Sequence, residues 1–193
     1  MTDSRAEILN KLRPSVTGSV APAIPGSVRF PGIPTEHFKT MLTSIGGAVS
    51  ELQNTDDLAV FIKDNYDSQS RILSCITGLN GFETVSRGEV RPQHYDNVNL
   101  VILEAEFAVA ENGAVWLMDQ AMPHRVLPFI TQHLLVVVPK TAIVGTMHDA
   151  YDRIADASYG FGIFIAGPSK TADIEQSLVL GAHGPKTMTV ILM

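Results

Sequence analysis

Two runs decide the fold: Val98-Asn99-Leu100-Val101-Ile102-Leu103, and His133-Leu134-Leu135-Val136-Val137-Val138, the second stopped by Pro139. Each is nearly continuous in apolar residues and of strand length. A strand with one wet face would alternate, so such runs read as strands buried on both faces of a parallel sheet. Between them, Phe107–Glu111 and Ala114–Met118 flank Asn112-Gly113, the strongest two-residue hairpin signal. Further strands are predicted at Arg71–Ile76, Phe161–Ala166 and Thr187–Leu192.

Helical spacing separates these runs. From Thr35, a plausible N-cap, Phe38, Met41, Leu42, Ile45, Val49 and Leu52 recur three and four apart. Gly46-Gly47 weakens the second half, where the helix ends if Ala48–Leu52 is a short strand. Asp57–Tyr66 turns Leu58, Phe61, Ile62 and Tyr66 inward. Thr146 with Asp149 caps a helix whose Met147, Tyr151, Ile154 and Ala155 share a face, and Ala172–Leu180 reads as a last helix. The alternation predicts an α/β fold: a mostly parallel sheet with helices on both faces and an inserted antiparallel hairpin.

The chain divides into an N-terminal helix and Pro-rich arm, 1–34, and an α/β domain, 35–193. Ser4–Arg13 places Ile8, Leu9 and Leu12 on one helical face. Pro14, Pro22, Pro25, Pro31 and Pro34 leave the next stretch little regular structure. The arm lies on the domain or on a neighbouring subunit, giving a homo-oligomer, or is a partly disordered tail.

Composition narrows the function. A length of 193 residues suits one domain with its own core. The single cysteine, Cys75, excludes an internal disulfide and an iron–sulfur cluster built from this chain alone, since clusters take about four thiolates. No signal peptide and no long apolar span is visible, so a cytoplasmic protein without membrane contact is expected. With 14 Lys+Arg against 20 Asp+Glu and no basic cluster, nucleic acid is not a partner. The histidines at 37, 94, 124, 133, 148 and 183 show no zinc spacing, so no metal and no cofactor are expected in this chain. Phosphate-loop, dinucleotide-fingerprint and nucleophile-elbow motifs are also missing.

Three segments carry candidate chemistry. Gly167-Pro168-Ser169-Lys170-Thr171-Ala172-Asp173-Ile174-Glu175 follows a strand and opens the last predicted helix. Gly167 permits close approach of an anion to free N–H groups, Ser169 and Thr171 offer hydroxyls, and Lys170 a cation. The plainer reading makes Thr171 an N-cap, with Asp173 and Glu175 complementing the helix dipole. Gly181-Ala182-His183-Gly184-Pro185 is a tight turn in which His183 is either an acid–base group or a hydrogen-bonded structural residue, with Gly184 beside it. Glu111, flanking Asn112-Gly113, projects a carboxylate near the hairpin turn, as a catalytic group or a solvated turn residue.

The run Gly167–Glu175, followed by Gly181–Pro185 and a final strand, resembles the signature of the lactate-utilisation (LUD) domain family, in its small branch without iron–sulfur motifs (LutC/YkgG-like). Ala110-Glu111-Asn112-Gly113-Ala114 stands where that family usually shows Ala-Glu-Thr-Gly-Thr. Arg125, Leu127-Pro128 and His133 are similar to its arginine, Leu-Pro and histidine. The likeness is good over residues 98–193 and loose before them. It implies a fold of the NagB/RpiA/CoA transferase-like type. It also implies an accessory subunit beside iron–sulfur proteins of a complex oxidising L-lactate to pyruvate. Asn112 and Ala114 depart from the family's threonines, and Glu111-Asn112-Gly113 resembles instead the motif of CoA-transferases, whose glutamate is the nucleophile. The alternative is therefore a CoA-transferase-like enzyme acting on an acyl or phosphorylated small molecule through Glu111.

Overall fold

The computed structural model describes residues 4, 5, 8, 10, 11, 30, 32–67, 69–85, 91–155, 157–172 and 178–193. Six strands form one all-parallel sheet: β1 (Ala48–Glu51), β2 (Ile72–Ser74), β3 (Glu83–Thr84), β4 (Leu100–Glu104), β7 (His133–Val138) and β12 (Thr187–Leu192). Their spatial order is β1-β12-β7-β4-β2-β3. The apolar runs thus stand at the centre. Leu100, Ile102, Leu135, Val137 and Ile191 face one side, packing with Leu58 and Ile62 of α2 (Thr55–Asn65). Val101, Leu103, Leu134, Val136, Val138, Val190 and Leu192 face the other, with Phe38 and Leu42 of α1 (Pro34–Ser44). Both faces of each central strand are dry, which is why the sequence does not alternate there.

The hairpin belongs to a second sheet. β5 (Phe107–Val109) and β6 (Ala114–Met118) pair antiparallel, joined on their flanks by β8 (Ile143–Val144) and β9 (Gly162–Ile165) in the order β8-β5-β6-β9. Ala108, Val115 and Leu117 pack into the same core as α1, while Phe107, Val109 and Trp116 face outward under Ala150 and Ile154 of α4 (Met147–Ile154). The layers run α2, parallel sheet, α1 with the second sheet, then α4. A short helix, α3 (Leu127–Ile130), leads into β7.

Several expectations are corrected. Ala172–Leu180 is not a helix in its described parts: Lys170–Ala172 (β10) and Leu178–Leu180 (β11) pair antiparallel, with Thr171 opposite Val179. So short a helix is marginal without a buried face, and Leu180, 48% exposed, offers none. Strand pairing satisfies the backbone instead. The N-cap of α1 is Ile33 rather than Thr35, because Pro34 takes the first helical position, where its missing N–H costs nothing. The helix ends at Ser44 and Gly46, at φ +86, turns the chain into β1. The capping box of Thr146 and Asp149 forms as read, but Tyr151 stays 59% exposed and the buried face of α4 is Ala150 and Ile154. Of the arm, Ser4, Arg5, Ile8, Asn10 and Lys11 are helical and Phe30 packs against the core; the rest of 1–31 lies outside the described residues. Among the described residues no helix is long and apolar enough to cross a membrane.

Candidate functional site

The edge at which the parallel strands begin collects most of the chemistry. Lys186, just ahead of β12, donates its N–H to the Gln132 carbonyl just ahead of β7, at 2.8 Å. Ser169 N–H donates to Pro185 O at 2.9 Å, and Gly181 N–H to Ser169 O at 3.1 Å. Gly167 holds φ +73 and approaches the Ile45 carbonyl so closely that a Cβ would lie 3.1 Å from it. These bonds fix two of the sequence-predicted segments against each other. Gly167, Ser169, His183 and Gly184 line one cavity of about 200 Å³, closed by Pro128 and Phe129 of α3.

The other predicted residues separate from this group. Thr171 is a strand residue, so no helix start lies beside it and the N-cap reading fails. Asp173 and Glu175 lie outside the described residues. Lys170 reaches away from His183, toward the turn after α1: a Cβ on Gly46 would stand 3.3 Å from its Nζ. Glu111 is elsewhere again. Its Oε2 accepts the Met147 N–H at 2.7 Å, at the start of α4, and its own N–H donates to Gly145 O at 3.0 Å. The carboxylate therefore complements the α4 dipole, not a helix at Ala172. Arg125, matched to the family's arginine, lies over the Phe161 ring at 4.9 Å.

Gly46 also walls a larger cavity, about 740 Å³, beneath the last turn of α2. Its floor carries polar residues that sequence reasoning did not single out as a site. His133 Nδ1 lies 2.7 Å from Thr187 Oγ1, and the Tyr66 ring stands edge-on to the imidazole at 5.7 Å. Burial, then the nearby Lys186 charge, holds the His133 pKa below its ordinary 6.5, so the ring is neutral near pH 7. A signal for this site exists in the sequence: Thr187, Thr189 and His133 are polar positions at the starts of strands otherwise written in Val, Ile and Leu. The opposite edge has a cavity of about 560 Å³ at the ends of β4 and β7, lined by Glu104, Glu106 and Arg153 among others.

A sequence model of the LUD domain matches residues 77–193. The chain belongs to the LUD-domain family. In this LUD domain Pro128 of the Leu-Pro pair, Gly167 and Ser169, and His183 to Pro185 meet around the smaller cavity. Relatives named Lactate utilization protein C include one from Geobacillus kaustophilus, 32% identical over 142 residues, covering 70% of this chain and 56% of that protein. The one from Bacillus subtilis is 33% identical over 113 residues, covering 55% and 47%. That from Anoxybacillus flavithermus is 32% identical, covering 56% and 50%. The LUD chain spans about half the length of the curated relatives it matches. A crystal structure of a DUF162 family protein from Deinococcus radiodurans superposes with a TM-score of 0.62 at 18% identity, covering 84% of this chain and 99% of that one, a likeness of fold.

Proposed function

We propose that the chain serves lactate utilisation as an accessory subunit, working beside iron–sulfur proteins that oxidise L-lactate to pyruvate, and that it carries no redox centre of its own. The observation that carries this reading is the 32% identity over 142 residues to a Lactate utilization protein C. The thiol chemistry supports it. Cys75 is the one cysteine, one of the about four thiolates that an iron–sulfur cluster takes, and burial pushes the pKa of the free thiol up to about 12.

Deleting the gene tests the reading. Growth on L-lactate should fail while growth on glucose is kept, and the tagged chain should retain cysteine-rich iron–sulfur proteins on an affinity column. Normal growth of the deletion strain on L-lactate as sole carbon source overturns the proposal.

A further inference from the structure

Among the described residues three polar side chains are buried: Ser74, Thr131 and Thr189. Two are accounted for. The Thr131 hydroxyl lies between the carbonyls of Asn99 and His133, at 2.9 and 2.8 Å, and Ser74 Oγ accepts the Ile76 N–H at 3.2 Å. Thr189 differs. Its hydroxyl has the Tyr66 hydroxyl at 3.5 Å, longer than the roughly 2.5–3.0 Å of an O–H···O bond. So long a bond is weak, and on the cavity lining the Thr189 hydroxyl is left able to bond a ligand.

Its surroundings say what. Thr189 stands on the α2 face of β12, one register step along from Thr187 and His133, on the floor of the 740 Å³ cavity. Further along the same face every central position is Leu, Ile or Val. Only this corner, where α2 has already ended at Asn65, is polar. A cavity of about 300–1,000 Å³ suits a small-molecule ligand, and a three-carbon acid would leave most of this one empty.

The charges favour an anion in an otherwise acidic chain. The Lys170 Nζ would stand 3.3 Å from a Cβ on Gly46, a residue of the cavity wall, and Lys186 precedes Thr187 with its N–H bonded to the carbonyl of Gln132, next to His133, at 2.8 Å. The one carboxylate on the lining, Asp67, is turned into its own loop, accepting the Gln69 N–H at 2.9 Å.

We propose that this cavity, at the edge where the parallel strands begin, binds an organic anion of nucleotide size, whose hydroxyl or carbonyl groups meet Thr189, Thr187 and His133 and whose anionic group lies toward Lys170. The site stands independently of the lactate reading. His133 meets such a ligand through Nε2, since Nδ1 is engaged by Thr187.

Isothermal titration of the full chain with adenosine monophosphate tests it, alongside L-lactate and inorganic phosphate. The nucleotide should bind saturably with Kd below about 1 mM, and the two smaller anions at least about tenfold more weakly. Thr189→Val and His133→Gln should each weaken the nucleotide at least about tenfold. Thr189→Val should leave Tm unchanged or raised, because the lost hydroxyl has no short partner in the fold. The proposal is overturned if adenosine monophosphate does not bind saturably, if both variants bind it as the natural chain does, or if Thr189→Val lowers Tm.

Discussion

The two edges of the parallel sheet are built from different materials. At the edge where strands end, charged side chains do the joining: Glu51 of β1 pairs with Lys39 of α1 and with Lys140 beyond β7, and Arg153 of α4 meets Glu106 at 3.9 Å. Backbone bonds join both edges, Lys140 N–H to Met193 O at 2.7 Å at this one, Ser169 to Pro185 and Lys186 to Gln132 where strands begin; there Arg71 also pairs with Glu83 at 2.8 Å, and the larger cavity is lined by hydroxyl and imidazole groups. Ligands of open parallel sheets usually sit at the ends of strands. Here the segments with the family's signature cluster at the opposite edge. The difference teaches that the side chains at each edge, not the backbone bonding common to both, set what that edge can hold; exposed ion pairs contribute little each.

Replacing Gly167 is the strongest way to break this contrast. At φ +73 an L side chain costs about 1–2 kcal/mol, and a Cβ 3.1 Å from the Ile45 carbonyl forces the loop to shift. Gly167→Ala should therefore cost about 2–3 kcal/mol, lowering Tm by roughly 4–12 °C. Gly78, at φ +84 with nothing within 4 Å of its added Cβ, is the control. Gly78→Ala should cost only about 1 kcal/mol. Equal losses in thermal melts would mean that close packing at this edge adds nothing.

The same contrast explains what could be read from the sequence. β4, β7 and β12 were legible because burial on both faces removes alternation, a local signal. The hairpin was legible from Asn112-Gly113, with Gly113 at φ +70, but Val109 pairs with Ala114, so the loop is four residues, Ala110 to Gly113, rather than two. Lys170–Ala172 and Leu178–Leu180 were misread because their partners are each other, and cross-strand pairing leaves no periodicity within a three-residue strand. The meeting of Ser169 with His183 arises from this hairpin rather than from a helix. Thr189 and His133 went unnoticed as a site because each is one polar residue in an apolar run; only the register that sets Thr187 beside His133 makes them a cluster.

Glu111→Gln is a smaller perturbation, aimed at the second sheet. The amide still presents an oxygen to the Met147 N–H but no longer a charge to the α4 dipole, so the loss should be about 0.3–1 kcal/mol. A denaturant midpoint reads it. Incubation with acyl-CoA, borohydride reduction and mass spectrometry should find no adduct at Glu111; an adduct there, absent from the Gln variant, would move the chemistry away from the sheet edge altogether.

Protonation distinguishes the edges more gently. His133 has its pKa lowered by burial and then by Lys186, so the unfolded chain takes up a proton at higher pH than the folded one. Stability from this group is intact above about 6.5 and falls as pH drops through the folded value. His133→Gln should flatten the pH dependence of Tm between about pH 7 and 5. A proton-NMR titration of the His133 ring should give a midpoint under the ordinary histidine value.

The smallest effect belongs to Glu51, with the same sign and a different cause. The Lys140 hydrogen bond, then that of Lys39, lowers its pKa to about 2. A depressed carboxyl contributes stability that is present above its unfolded pKa and lost as pH falls toward the folded one, here between about 4.5 and 2. The His133 window lies higher, so the two edges can be titrated separately in one protein. Because Glu51 and its partners are open to solvent, salt screens the attraction. Thermal melts of the natural chain and Glu51→Gln should differ slightly at pH 6 in low salt, converge below about pH 2, and converge at any pH in about 1 M salt. A difference that survives high salt would mean that Glu51 acts through packing rather than through its charge.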